Sequence, residues 1–166
     1  ENNLRSLWLI ATTLIVFGVI LGLADTYGKR ERTLDQLSNR HGIMYGLAQA
    51  LALMPGVSRS GATIAMGRFL GYKREAALRY SFLLALPAVF GSGFYQLQGA
   101  ISSTESNVFS LAETAVATGI AFVVGYLVIA WLLKFVSTKS FMPFIIYRIA
   151  LGMLLLILLG TGVISA

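Results

Sequence analysis

Long apolar stretches alternate with short polar ones along this chain, and the lengths of the apolar stretches predict its elements. Ser6 to Ala24 is an uncharged apolar run with the roughly 20 residues that a helix needs to cross a bilayer core of about 30 Å. Asp25 to His41 follows, a polar loop carrying Lys29, Arg30, Arg32 and Arg40, too charged for hydrocarbon and expected to be solvated. The next apolar run, Gly42 to Met54, is too short to span and predicts a re-entrant or interfacial segment. It stops at Pro55-Gly56. After a polar turn, Ala62 to Leu70 is a second short helix candidate, running into Gly71-Tyr72-Lys73-Arg74-Glu75. Two short apolar pieces joined by a Pro/Gly-interrupted turn predict a hairpin over residues 42–70 that enters and leaves the membrane on one side.

Glu75 and Arg79 are spaced i, i+4 and support the start of the next helix. Tyr80 to Leu97 is the third apolar region, where Pro87 predicts a kink and Ala85, Ala88, Gly91, Ser92 and Gly93 permit close helix packing. Gln98 to Ser110 reads as a loop without lysine or arginine. Leu111 to Val136 and Phe144 to Ile164 are the last two spans, separated by a basic loop around Lys134 and Lys139. The expected fold is all-α: a polytopic membrane protein with four transmembrane helices and one re-entrant hairpin, forming a single transmembrane domain over 1–166. Lys29, Arg30, Arg32, Arg40, Arg68, Lys73, Arg74, Arg79, Lys134 and Lys139 fall on one side, with Arg5 the exception. The excess of lysine and arginine makes that side cytoplasmic.

Composition agrees with this reading: the chain is 57% hydrophobic and 12% charged, which excludes an ordinary soluble domain. Its formal charge of +6 does not point to nucleic acid, because the basic residues sit between apolar segments where orientation signals belong. Cysteine is absent, so disulfide and thiolate chemistry are excluded. With a lone histidine, His41, and no histidine–carboxylate cluster, the segment has no self-contained zinc or iron site. The chain opens at Glu1 with neither an initiator methionine nor a signal-like segment, and reads as a fragment or a processed product of a larger chain.

The chemistry is concentrated in Met54-Pro55-Gly56-Val57-Ser58-Arg59-Ser60-Gly61-Ala62-Thr63. Non-helical backbone at membrane depth is tolerated only where protein buries it or a cavity receives it, and an arginine there asks for an anion. Gly56 and Gly61 allow tight backbone geometry, and a helix beginning near Gly61 would aim unpaired N–H groups and its positive dipole end at the turn. Ser58, Ser60 and Thr63 add hydroxyls, and Arg59 offers a planar fork matched to phosphate. The set reads as a phosphate cradle, without Walker spacing or a P-loop lysine. Gln49 is a candidate pocket residue or a helix–helix hydrogen bonder. Arg148, inside the last apolar stretch, is open to a part in anion binding but reads first as a snorkelling or structurally paired residue, and His41 reads as an interface residue rather than a base.

Pro55 to Thr63, followed by Ser81-Phe82-Leu83-Leu84-Ala85-Leu86-Pro87 and Pro143-Phe144-Ile145-Ile146-Tyr147-Arg148, resembles the bacterial undecaprenyl-diphosphatase family of the bacitracin-resistance type. The resemblance implies hydrolysis of undecaprenyl diphosphate to undecaprenyl phosphate and inorganic phosphate, recycling the lipid carrier of cell-wall synthesis in a multi-pass protein of the bacterial plasma membrane. It carries over Ser58, Arg59 and Thr63 as catalytic-site residues, and Gly56, Ser60 and Gly61 match by position as substrate-binding residues, to which Gln49 is added as the candidate pocket residue. It also implies a divalent cation, Mg or Ca, whose ligands belong to an earlier hairpin with paired glutamates, a serine and a histidine. Those residues have no match here. The chain would then be the C-terminal half of an inverted-repeat fold, inactive by itself. The partners implied are the diphosphate lipid and the bilayer, with no nucleic acid and a homodimer left open. The rival reading is half of a transporter or lipid flippase with a midplane anion site.

Overall fold

A computed structural model describes residues 6–102 and 111–164. Among the described residues the regular structure is helical, apart from an isolated bridge between Arg32 and Tyr72. Six α-helices follow in order: α1 (Leu7–Tyr27), α2 (Asn39–Ala50), α3 (Arg59–Phe69), α4 (Arg74–Ser102), α5 (Leu111–Thr138) and α6 (Met142–Gly160). Short 3-10 turns at Leu34–Gln36 and Leu51–Leu53 flank α2. Four helices are long and apolar enough to cross a membrane, over Leu7–Tyr27, Arg74–Gln98, Ala112–Thr138 and Met142–Gly160.

The hairpin forms as the short apolar runs imply. Ser38 caps α2 by accepting the His41 N–H, and Ser58 caps α3 by accepting the Gly61 N–H. Between them the chain turns at Pro55-Gly56, where Gly56 has φ +84°, a left-handed conformation that disfavours side chains. Both feet of the hairpin stand at one end of the molecule. There Lys73 N–H donates to Arg32 O at 2.9 Å, and Arg32 N–H to Gly71 O at 3.0 Å, stitching the two flanking loops together.

Several boundaries differ from the sequence expectation. Helix α1 continues past Ala24 to Tyr27 because Asp25 is not solvated: it is 3% exposed, with its carboxylate paired. Helix α4 starts at Arg74 rather than Tyr80, and it runs unbroken through Pro87 and past Gln98 to Ser102. The expected loop therefore loses its first residues to the helix, and residues 103–110 lie outside the described residues. Helix α5 extends to Thr138, and α6 ends at Gly160, where a turn with Gly162 at φ +71° takes over.

Asp25 ties the basic end together. Arg74 grips its carboxylate with two bonds, Nε to Oδ1 at 2.7 Å and Nη2 to Oδ2 at 2.9 Å, and Phe141 N–H donates to Oδ2 at 3.3 Å. Arg68, fully buried, donates from Nε to Oδ1 at 3.3 Å and from its terminal nitrogens to the carbonyls of Asp25, Gly28, Lys29 and Tyr72. The ends of α1 and α3 and the starts of α4 and α6 thus meet on one carboxylate. Arg68, grouped above with the orientation-setting surface charges, is instead a core residue. On the other side of α1 the packing is tight: a Cβ on Gly18 would lie 2.9 Å from Ile149 Cγ1, and one on Gly152 would lie 2.6 Å from Ile15 Cγ1. Small residues let α1 and α6 approach this closely.

Candidate functional site

The turn between α2 and α3 is fixed from two sides. Thr13 on α1 donates its hydroxyl to Pro55 O at 2.8 Å, and a Cβ on Gly56 would strike that same hydroxyl and the Ile10 backbone. From the opposite side, Arg148 on α6 donates from Nη2 to Gly56 O at 3.1 Å. The turn is therefore a rigid ledge rather than a loop.

A cavity of about 210 Å³ opens beside this ledge, and its polar end is formed by Ser58, Ser60, Gly61 and Arg148. The guanidinium of Arg148 lies against Gly61, where an added Cβ would come within 2.8 Å of Nη1. Arg148 is 8% exposed, and its Nε has no hydrogen-bond partner among the described residues. An unpaired donor on a buried guanidinium costs free energy unless an acceptor arrives. Of the readings open for Arg148, snorkelling is the one that fails: packing of α6 on α1 turns the side chain inward, where it pairs with Gly56 O at the turn.

Ser58 Oγ accepts the Gly61 N–H at 3.2 Å and lies 3.3 Å from Ser60 Oγ. The Arg59 and Ser60 N–H groups, at the head of α3, have no helical acceptor and sit at the positive end of the helix dipole. Backbone donors, two hydroxyls and a guanidinium thus converge on one cavity end. Such an arrangement suits an anion with several oxygens.

The remaining candidates fall elsewhere. Thr63 is fully buried and outside the cavity wall; its hydroxyl bonds Arg59 O and Ser60 O and pairs with Ser81 Oγ at 2.6 Å, fastening α3 to α4. Arg59 is exposed and is not part of the cavity wall. Gln49, on α2, keeps Oε1 buried without a partner, also away from the wall. Sequence reasoning gave no role to Thr13 or Ser81 and undervalued Arg148, although an arginine in an apolar stretch is itself the signal.

His41 belongs to a separate cluster at the hairpin's foot. Arg32 Nη1 donates to its Nε2 at 3.1 Å, which places the ring proton on Nδ1, 2.8 Å from the Tyr72 hydroxyl; Tyr72 in turn donates to Gln36 O at 3.2 Å. Burial, followed by the charges of Arg32 and Arg40, holds its pKa below the usual histidine value. Among the described residues no three His, Cys, Asp or Glu side chains group closely enough to hold a metal ion.

The family model described as bacitracin resistance protein BacA matches residues 1–154. The chain belongs to the BacA family. Among its curated relatives are the undecaprenyl-diphosphatase of Pseudarthrobacter chlorophenolicus, 62% identical over 167 residues, and that of Renibacterium salmoninarum, 61% identical over 168. Undecaprenyl-diphosphatase 2 of Agrobacterium fabrum is 61% identical over 166 residues. Each match covers the whole of this chain, while the chain spans about three fifths of the relatives' length, 60%, 60% and 59% respectively. BacA membership together with the four apolar helices makes this a multi-pass membrane protein.

Proposed function

We propose that the protein to which this chain belongs hydrolyses undecaprenyl diphosphate to undecaprenyl phosphate and inorganic phosphate, recycling the lipid carrier of cell-wall synthesis at the bacterial plasma membrane. The observation that carries the reading is the buried Arg148 guanidinium, with a donor to spare, facing the hydroxyls and free N–H groups at the head of α3. The BacA relatives named undecaprenyl-diphosphatase supply the substrate.

In this reading Arg148 and the N–H groups of Arg59 and Ser60 stabilise charge on the transferred phosphoryl group, the main task of a phosphoryl-transfer site. Arg59, exposed at the head of α3, reaches the same phosphate from outside. Ser58 and Ser60 bind phosphate oxygens, Gly56 and Gly61 keep the ledge close to them, and Gln49, on α2 and off the cavity wall, acts on the substrate only indirectly. Thr63 positions α3 through Ser81. Ser58 is assigned to binding, since its hydroxyl meets Ser60 and the Gly61 N–H and no base adjoins it among the described residues.

The described residues do not fit a divalent cation, because Asp25 is committed to Arg68 and Arg74 and no other acidic group gathers near the ledge. A Mg or Ca ion would take its ligands from the part of the relatives' length that this chain does not span. Phosphate release from undecaprenyl diphosphate by the purified full-length protein tests the proposal. Arg148→Ala and Arg59→Ala should each lower kcat/KM by about 100-fold or more while the melting temperature changes little. Lipid movement across liposomes without phosphate release would instead favour a flippase.

A further inference from the structure

Beyond Ser58 and Ser60 the cavity changes character. Ile64 on α3, Leu78 and Phe82 on α4, Leu132 on α5, and Phe144 and Tyr147 on α6 supply an apolar continuation of its wall. Its whole volume of about 210 Å³ exceeds the roughly 150 Å³ that holds a benzene-sized guest. Beside one phosphate group there is room for only a handful of carbons.

The boundaries of this space are unequal. Toward α1 its wall is Leu21, on a helix packed tightly against α6 at Gly18 and Gly152 and against the turn at Gly56. Toward α5 the closure is by side chains of its last turns alone: most of that helix is unburied, Val136 near its end is in the core with Leu132 half-buried beside it, and it meets α6 through the Phe135 and Phe144 rings, whose centroids are 6.2 Å apart. Phe144 and Tyr147 are both exposed along this seam.

We infer that the apolar continuation is a slot for the first isoprenyl unit next to the diphosphate, and that the rest of the prenyl chain leaves through the seam between α5 and α6. The inference rests on the reading of the substrate as a polyprenyl diphosphate. An anion fixed at the ledge leaves its first carbons little choice of direction, because the α1 side is closed and the opposite wall is apolar. Leu132 is then a specificity-determining residue, as the slot residue contributed by α5.

The test uses the full-length protein in detergent, with farnesyl diphosphate as substrate and methylenediphosphonate as a headgroup-only inhibitor. Leu132→Trp fills the slot from α5, and KM for farnesyl diphosphate should rise about tenfold or more. The inhibition constant of methylenediphosphonate and kcat should stay within about twofold, and Leu132→Met, of similar volume, should restore the KM. A rise in both constants, or in neither, overturns the slot. Farnesyl diphosphate bearing a diazirine on its second isoprenyl unit should label peptides of α5 and α6; labelling confined to α1 or α2 overturns the exit. A wild-type protein that binds farnesyl diphosphate in competition with methylenediphosphonate but hydrolyses no prenyl diphosphate would retire the phosphatase reading and leave the slot standing.

Discussion

Two buried arginines, Arg68 and Arg148, stand in opposite chemical conditions. Arg68 uses its guanidinium fully on the Asp25 carboxylate and on carbonyls of α1 and the loops that follow α1 and α3. Arg148 makes one hydrogen bond, to Gly56 O, and keeps Nε unpaired beside a cavity. Both are equally cationic, and both lie where water is scarce. The difference teaches that burial of a charge does not by itself mark a functional site. A saturated guanidinium belongs to the fold, whereas an unsaturated one facing a cavity is available to a ligand.

The contrast is broken most severely at Asp25. Replacing it with alanine leaves Arg68 and Arg74 without their shared counter-charge, and loss of one partner of a buried ion pair costs about 3–5 kcal/mol. Asp25→Ala should therefore lower the melting temperature and the yield of monodisperse protein in fluorescence-detected size exclusion. Retention of wild-type stability would mean that the basic end is not fastened as described.

A smaller effect sharpens the other side of the comparison. Gly61→Ala puts a methyl group 2.8 Å from Arg148 Nη1 and 3.2 Å from Ser58 Cβ, so the guanidinium must shift by a few tenths of an ångström. Turnover should fall by about tenfold, as misplacement of a catalytic group does, with thermal stability nearly unchanged. A matched loss of stability would instead assign Gly61 to the fold.

The smallest effect concerns the hairpin's foot. His41 accepts from Arg32 only when neutral, and its pKa lies below the usual histidine value. The unfolded chain thus binds the proton more readily, and the cluster's contribution is complete above about pH 6.5 and fades as pH falls through the lower, folded-state value. His41→Phe should flatten the melting temperature between about pH 5 and 7. An unchanged slope would remove His41 from the account.

Much of this was legible in the residues themselves. The short apolar runs around Pro55-Gly56 announced a re-entrant hairpin because length and backbone-breaking residues are local properties. Ser58 as the cap of α3, and the N–H groups behind it, follow from the same local chemistry. The boundaries that shifted did so through partners distant in sequence: α1 runs on to Tyr27 with Asp25 buried against Arg68, 43 positions later, and Arg74, 49 positions later.

The sequence alone determined the membrane-crossing pattern, the hairpin and the cluster of hydroxyls at its turn, since each depends on composition and spacing within a few neighbouring residues. Tertiary structure alone decided which arginine enters the cavity. Arg148 reaches Gly56 across 92 positions only because α6 packs closely on α1, while Arg59, beside the hydroxyls in the chain, is exposed. Proximity along the chain fixes where a side chain is attached, but helix packing fixes the direction in which it points.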